Sequence, residues 1–415
     1  MADLINLPRF AALQNRNFIL LFSGLIVSNV GTWMQNVAQG WLVLQLTNSP
    51  LWLGLLGLSF AVPMIVLPFV GGVVVDRINR VRLLYVTQTG QMLLAFILAA
   101  LTWLGWINVY YILAASFIGS ALLAFDNPAR QALVPDLVPS AHLFNAIALN
   151  AATYNGAALL GPAIAGALLG SLGAGALFFI NGVSFLAVLI ALLAMREVRT
   201  HSGGVQASLR QSALRGLGYA WHNRLILFLL ILSAVVAAFG RSYQNLLPIF
   251  ARDIWHAGPA GYGFLLSSAG GGALVGAFGL AAIRQLKHHG ALMIGIGFLF
   301  SVSIILFALS PSLILGCLLL FLTGVTSTAF GTIIATFIQV EAPNDLRGRI
   351  MSLYAITLIG LPSLGALGSG AIAQALGGIP GAPLAVLIGG ILAGLLVILF
   401  APFFWKRSID TANRR

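Results

Sequence analysis

In a mostly apolar chain, Gly31-Thr32-Trp33-Met34-Gln35-Asn36 gathers side chains that hydrocarbon does not solvate. About 209 residues later the cluster returns as Gly240-Arg241-Ser242-Tyr243-Gln244-Asn245. A large aromatic ring beside amides offers a stacking surface with adaptable donors and acceptors, and a guanidinium adds a fixed charge with five donors. Such side chains hold a ligand rather than break covalent bonds. Asn29, Trp33, Asn36 and Gly40 recur at three- or four-residue spacing with Thr32, Gln35 and Gln39 beside them, so a helix gathers them into one polar stripe. The stripe either bonds neighbouring helices or lines a cavity. Taken as a cavity lining, it makes Asn29, Trp33, Asn36, Gln39, Arg241, Gln244 and Asn245 the candidate substrate contacts. An Arg at the centre of a membrane helix costs about 2.5 to 3.5 kcal/mol on insertion scales, so Arg241 must face water, a partner or a ligand. No carboxylate stands at comparable depth in the sequence. An anionic or strongly polar substrate group fits there, and hydration with hydrogen bonds to helix ends and to amides such as Asn36 is the alternative.

The elements that carry these residues must cross a bilayer. Of the 415 residues, 60% are hydrophobic and 7% charged, and mean hydropathy is +1.00, against about 25% charged residues in soluble domains. Crossing about 30 Å of hydrocarbon takes about 20 residues. Breaks at Gly, Pro and charge clusters leave about twelve such runs: 18–46, 50–75, 83–105, 108–126, 142–170, 175–195, 224–251, 259–283, 291–309, 312–338, 348–376 and 383–404. The echo between halves continues: Asn48-Ser49-Pro50 answers Ala257-Gly258-Pro259, and Gln131 to Pro135 answers Gln339 to Pro343. The expected fold is therefore an all-α integral membrane protein with 12 transmembrane helices in two pseudo-symmetric six-helix bundles. Residues 1–17 form a cytoplasmic lead-in, 18–195 and 224–404 the bundles, 196–223 a basic linker and 405–415 a cytoplasmic tail.

The net charge of +12 is a matter of topology. Of the 21 Lys and Arg, all but Arg241 and Arg252 fall in the termini or in the connections from even to odd spans. The positive-inside rule makes that side cytoplasmic, with both termini there. A nucleic-acid partner is not expected. Cys317 is the single cysteine, and the six histidines lie outside the spans without ligand spacing, so no metal or other cofactor is expected. Paired carboxylates at depth and Ser-His arrangements are lacking too, against an enzyme.

The second span ends in Gly71-Gly72-Val73-Val74-Val75-Asp76-Arg77-Ile78-Asn79-Arg80-Val81-Arg82. This resembles the cytoplasmic loop signature of the major facilitator superfamily, a Gly, three residues, an Asp-Arg pair and further basic residues. Gly72 permits close helix approach, Asp76 accepts from a helix N-terminus or an Arg, and Arg77, Arg80 and Arg82 hold the loop at the cytoplasmic face. The resemblance implies a latch between the halves; a plain positive-inside anchor is the other reading. Phe125-Asp126-Asn127-Pro128-Ala129-Arg130-Gln131-Ala132-Leu133-Val134-Pro135 looks like the branch that contains the enterobactin exporter and macrolide-efflux proteins. Asp126 and Arg130, four apart, pair if the helix continues past Pro128; the pair is then structural, or Asp126 is a protonatable gating carboxylate. In the fifth span, Gly161-Pro162 with Gly166 resembles the Gly-Pro motif of superfamily exporters, though Ala157 and Ala165 stand where it often has Gly.

The resemblance covers nearly the whole chain and implies a monomeric secondary transporter whose two halves rock about a midplane site. The activity the resemblance implies is export of a small amphiphilic compound, siderophore-like or a drug, in antiport with protons. The coupling ion rests on the resemblance alone, with Asp126 and Asp76 the available carriers. A uniporter or importer of a small metabolite is the main alternative, and a sensor that binds without flux is another.

Overall fold

The computed structural model describes residues 10–67, 78–196, 217–282, 289–344 and 346–413, and the regular elements among them are helical. In chain order they are α1 Arg16–Thr47, α2 Pro50–Val66, α3 Arg80–Trp103, α4 Val109–Leu137, α5 Leu143–Ala194, α6 Arg224–Val235, α7 Gly258–Ala282, α8 His289–Ala308, α9 Leu313–Glu341, α10 Arg347–Ile359, α11 Leu361–Ala375 and α12 Ala382–Asn413. Among the described residues, ten helical stretches are long and apolar enough to cross a membrane; α2 is a shorter apolar helix. Polar residues set the starts. Asn79, Asn108 and Ser312 accept from backbone N–H groups of the first turns of α3, α4 and α9, which have no partner inside the helix.

Two compact units divide the chain: Met1–Leu42 with Val62–Gln206, and Val43–Ala61 with Ala207–Arg415. In the first, α3 packs along both α4 and α5. Its core gathers Phe18, Leu84, Leu133 and Val188 from α1, α3, α4 and α5. Along α5 the backbone turns at Gly173, where φ is 75° and ψ 172°, in a region that a residue with a Cβ adopts only under strain.

In the second unit α7 and α9 pack backbone against backbone. A Cβ on Gly272 would collide with the Phe321 carbonyl, and one on Gly324 with the Ala269 carbonyl. Small residues facing backbone is how helices associate where lipid removes the usual hydrophobic drive. A nest of rings, Tyr243, Phe250, Trp255 and Phe307, fills the space beside α8. Residues 43–61 are tied in by Arg252: its Nε faces both Asp253 oxygens at 3.0 Å, its Nη1 donates to the Leu44 carbonyl at 3.1 Å, and its Nη2 donates to Asn48 Oδ1. Ser49 Oγ donates to Gln374 Oε1 at 2.8 Å nearby.

Several expected boundaries differ. The expected span 108–126 is part of a helix that continues to Leu137 through Pro128 and Pro135; two prolines weaken it without ending it. The guanidinium of Arg80 donates to the Ala132 carbonyl in that stretch at 3.1 Å. The expected span 224–251 is not one regular helix. Val236–Gly240 widens into a π turn, Ser242–Leu246 tightens into 3-10, and Phe250–Ile254 widens again. Pro248 has no N–H for the Gln244 carbonyl, and Gly240 lowers local helix propensity, so both ends of the repeated cluster are poorly held in α geometry.

Candidate functional site

In the first unit, α1 lies with its polar stripe against α5. Gly161 makes room for it, because a Cβ there would stand 2.5 Å from the Cβ of Trp33. The Trp33 ring is half-buried, with its centroid 6.1 Å from that of Tyr154, which is 59% exposed. Asn36 is exposed and Asn29 half-buried, so ring and amide present one surface. Gln35 points the other way and accepts from Asn181 Nδ2 at 2.8 Å. Gln39 is buried, at 5% exposure. The stripe therefore does both things its residue types permit: Gln35 bonds a neighbouring helix, while Trp33 and Asn36 stay available. Gly161, Pro162 and Gly166 are all buried on α5.

A second polar group sits between α3 and α4. Asp126 is fully buried and its Oδ1 accepts from Thr87 Oγ1 and Gln88 Nε2, both at 2.8 Å, while Oδ2 pairs with Arg130 Nη2. A charge taken out of water needs a partner and filled hydrogen bonds, and Asp126 has both. Its neighbours do not: Gln88 Oε1, Gln91 Nε2 and Arg130 Nε are buried without partners. Arg80 pairs with Asp136 a little further along α4. Gly72, Asp76 and Arg77 lie outside the described residues.

In the second unit Arg241 is half-buried at the junction of the π and 3-10 turns, and no hydrogen bond or ion pair to a described residue holds its guanidinium. It lines a cavity of about 20 Å³ with Ser233, Ser327 and Gly331. Gln244 is half-buried, and the Asn245 amide lies 3.2 Å from where a Cβ on Gly57 would stand. Tyr154, Ser327, Thr87 and Gln88 were not expected at these places. Each is a single common polar residue in an apolar run, and only the contact between helices gives it meaning.

Apolar crossing helices that carry rings, amides and a guanidinium with no described partner suit a multi-pass membrane transporter. The chain belongs to the major facilitator superfamily: residues 8–414 match the family described as transmembrane secretion effector. It is 25% identical to the multidrug efflux pump Tap of Mycolicibacterium fortuitum over 95% of this chain and 97% of that one. To the staphyloferrin A transporter of Staphylococcus aureus it is 24% identical, over 80% of this chain and 83% of that one. The crystal structure of the nucleoside transporter NupG matches it with a TM-score of 0.73 at 16% identity, covering 94% of this chain and 99% of NupG, a likeness of fold. The protein is thus a transporter of a small-molecule substrate in a lipid bilayer, not an enzyme.

Proposed function

We propose that the protein exports a small amphiphilic compound, siderophore-like or a drug, by alternating access in antiport with protons. The observation that carries this reading is Trp33 seated on Gly161, with Tyr154 beside it and Asn36 exposed. The exporter-like Gly-Pro segment and the substrate-type aromatic surface are one structure, so a change in the bend at Pro162 moves the ring that meets substrate. Asn29, Trp33, Asn36 and Gln39 of the first unit and Arg241, Gln244 and Asn245 of the second each contribute contacts. Asp126 and Asp76 serve coupling, and Gly72, Arg77, Arg80, Arg130 and Gly166 serve gating.

Twelve spans follow if the long helix α5 counts as two, divided at Gly173, and α2 as one more beside the other nine stretches. They form two six-helix bundles in a bacterial inner membrane, with both termini cytoplasmic and the protein a monomer. Flux in a drug-sensitive bacterial host tests the function. Energised cells that make the protein should lose ethidium or a macrolide faster than control cells, a protonophore should abolish the difference, and Trp33→Ala should cut the rate several-fold. Accumulation down the gradient regardless of pH would assign the chain to the uniporter or importer class instead.

A further inference from the structure

Arg241 has a second unpartnered donor beside it. The Ser327 hydroxyl, from α9, makes no hydrogen bond to a described residue and lines the same small cavity. No nitrogen of Arg241 and no oxygen of Ser327 is among the sealed, unpartnered polar atoms, so both groups stay open to an incoming atom. The neighbouring polar groups are committed elsewhere: Ser233 Oγ shares a hydrogen bond with Thr357 at 2.9 Å, and Tyr354 donates its hydroxyl to the Gly331 carbonyl at 2.6 Å. Val236, Phe300, Phe330 and Leu358 wall the cavity with hydrocarbon. A positive charge and a free hydroxyl, both donors, thus face a confined, mostly apolar space that no anion of a described residue lines.

We propose that Arg241 and Ser327 form a subsite for the carboxylate of the transported compound. This rests on the transport reading above and adds to it the chemistry of the substrate. A planar carboxylate matches the guanidinium fork with two parallel hydrogen bonds, and its oxygens have a further lone pair for a hydroxyl. Charge selects among oxyanions: one guanidinium matches the single negative charge of a carboxylate, whereas a phosphate monoester brings about −1.5 to −2 charges against walls that are mostly hydrocarbon. No carboxylate of a described residue pairs with Arg241, and an internal ion pair would compete with the ligand. Arg241 and Ser327 would discriminate an acid from its neutral analogue, because the neutral one leaves the charge unpaired.

The test is binding, measured without flux, so that it stands apart from the export assay. Full-length protein in neutral phosphatidylcholine nanodiscs is titrated with 2-naphthylacetate, 2-naphthylacetamide and 2-naphthyl phosphate, and thermal stabilisation is read against concentration. The acid should half-saturate at least tenfold below the amide and below the phosphate. Arg241→Gln should remove the preference, Arg241→Lys should keep part of it, and Ser327→Ala should weaken it several-fold. Equal responses to acid and amide, no response to the acid, or a preference that survives Arg241→Gln would overturn the proposal. A higher affinity for the phosphate would reassign the site to that group. Loss of the acid effect in nanodiscs containing phosphatidylglycerol would give the site to a lipid headgroup. If Arg241→Gln fails to fold, Arg241→Lys and Ser327→Ala decide the question. Retained efflux of a cationic dye with no acid preference would sink this subsite and leave export intact.

Discussion

At the scale of residues, two guanidinium groups inside the helices are treated in opposite ways. Arg130 is bound to a carboxylate one helical turn away, and Arg241 is left bare. A buried ion pair contributes little net stability relative to an apolar pair, but removal of one member leaves an uncompensated charge that costs about 3 to 5 kcal/mol. Asp126→Asn should therefore lower the thermal midpoint sharply in detergent, while Asp126→Asn with Arg130→Gln should recover most of the loss. A double variant no more stable than Asp126→Asn alone would mean that Thr87 and Gln88, not Arg130, hold the carboxylate in place. The same logic predicts little stability change on Arg241→Gln, since that side chain has no partner to lose. The pairing at Asp126 was open to a sequence reader through its four-residue spacing. Thr87 and Gln88 were not, because nothing in the sequence fixes which turn of α3 meets which turn of α4.

At the scale of elements, close approach and irregularity do different work. The α7 and α9 helices meet backbone to backbone, whereas the stretch 236–254 loosens its own hydrogen bonding around the repeated cluster. Glycines on α7 should divide accordingly. Gly272→Ala places a methyl group on the Phe321 carbonyl and forces the helices apart, so folded protein should fall steeply by size-exclusion chromatography. Gly279→Ala meets nothing within 4 Å on the same helix and should leave stability unchanged or raise it by up to about 1 kcal/mol through helix propensity. Equal effects of the two would refute backbone contact as the reason for glycine at position 272. The small-residue pattern of α7 is legible in the sequence as the run Gly270-Gly271-Gly272 with Gly276 and Gly279. Which glycine faces a carbonyl depends on register, and the π turns near Arg241 depend on how Pro248 and Gly240 share a strained span; hydropathy reports neither.

At the scale of the whole molecule, the sequence speaks most clearly through charge and length. Apolar runs and the one-sided Lys and Arg distribution carry the membrane assignment with no help from contacts, because the bilayer is a solvent that acts on every residue alike. The number of crossings is a finer question, and it turns on α5. At 52 residues a straight α-helix would be roughly 80 Å long, far more than about 30 Å of hydrocarbon requires. Gly173 is the residue whose backbone leaves the helical region, and no Lys or Arg lies between Arg130 and Arg196 to mark a cytoplasmic turn. If α5 is two spans joined at Gly173, the chain turns there on the side opposite to its basic loops. Alkaline phosphatase fused after residue 173 should then be active, as after residue 106, and inactive after residues 139 and 196. A green fluorescent protein at either terminus should fluoresce, since it folds only on the cytoplasmic side. An inactive fusion after residue 173 would mean that α5 crosses no more than once, and the halves would lose the equal numbers of helices that their repeated motifs imply.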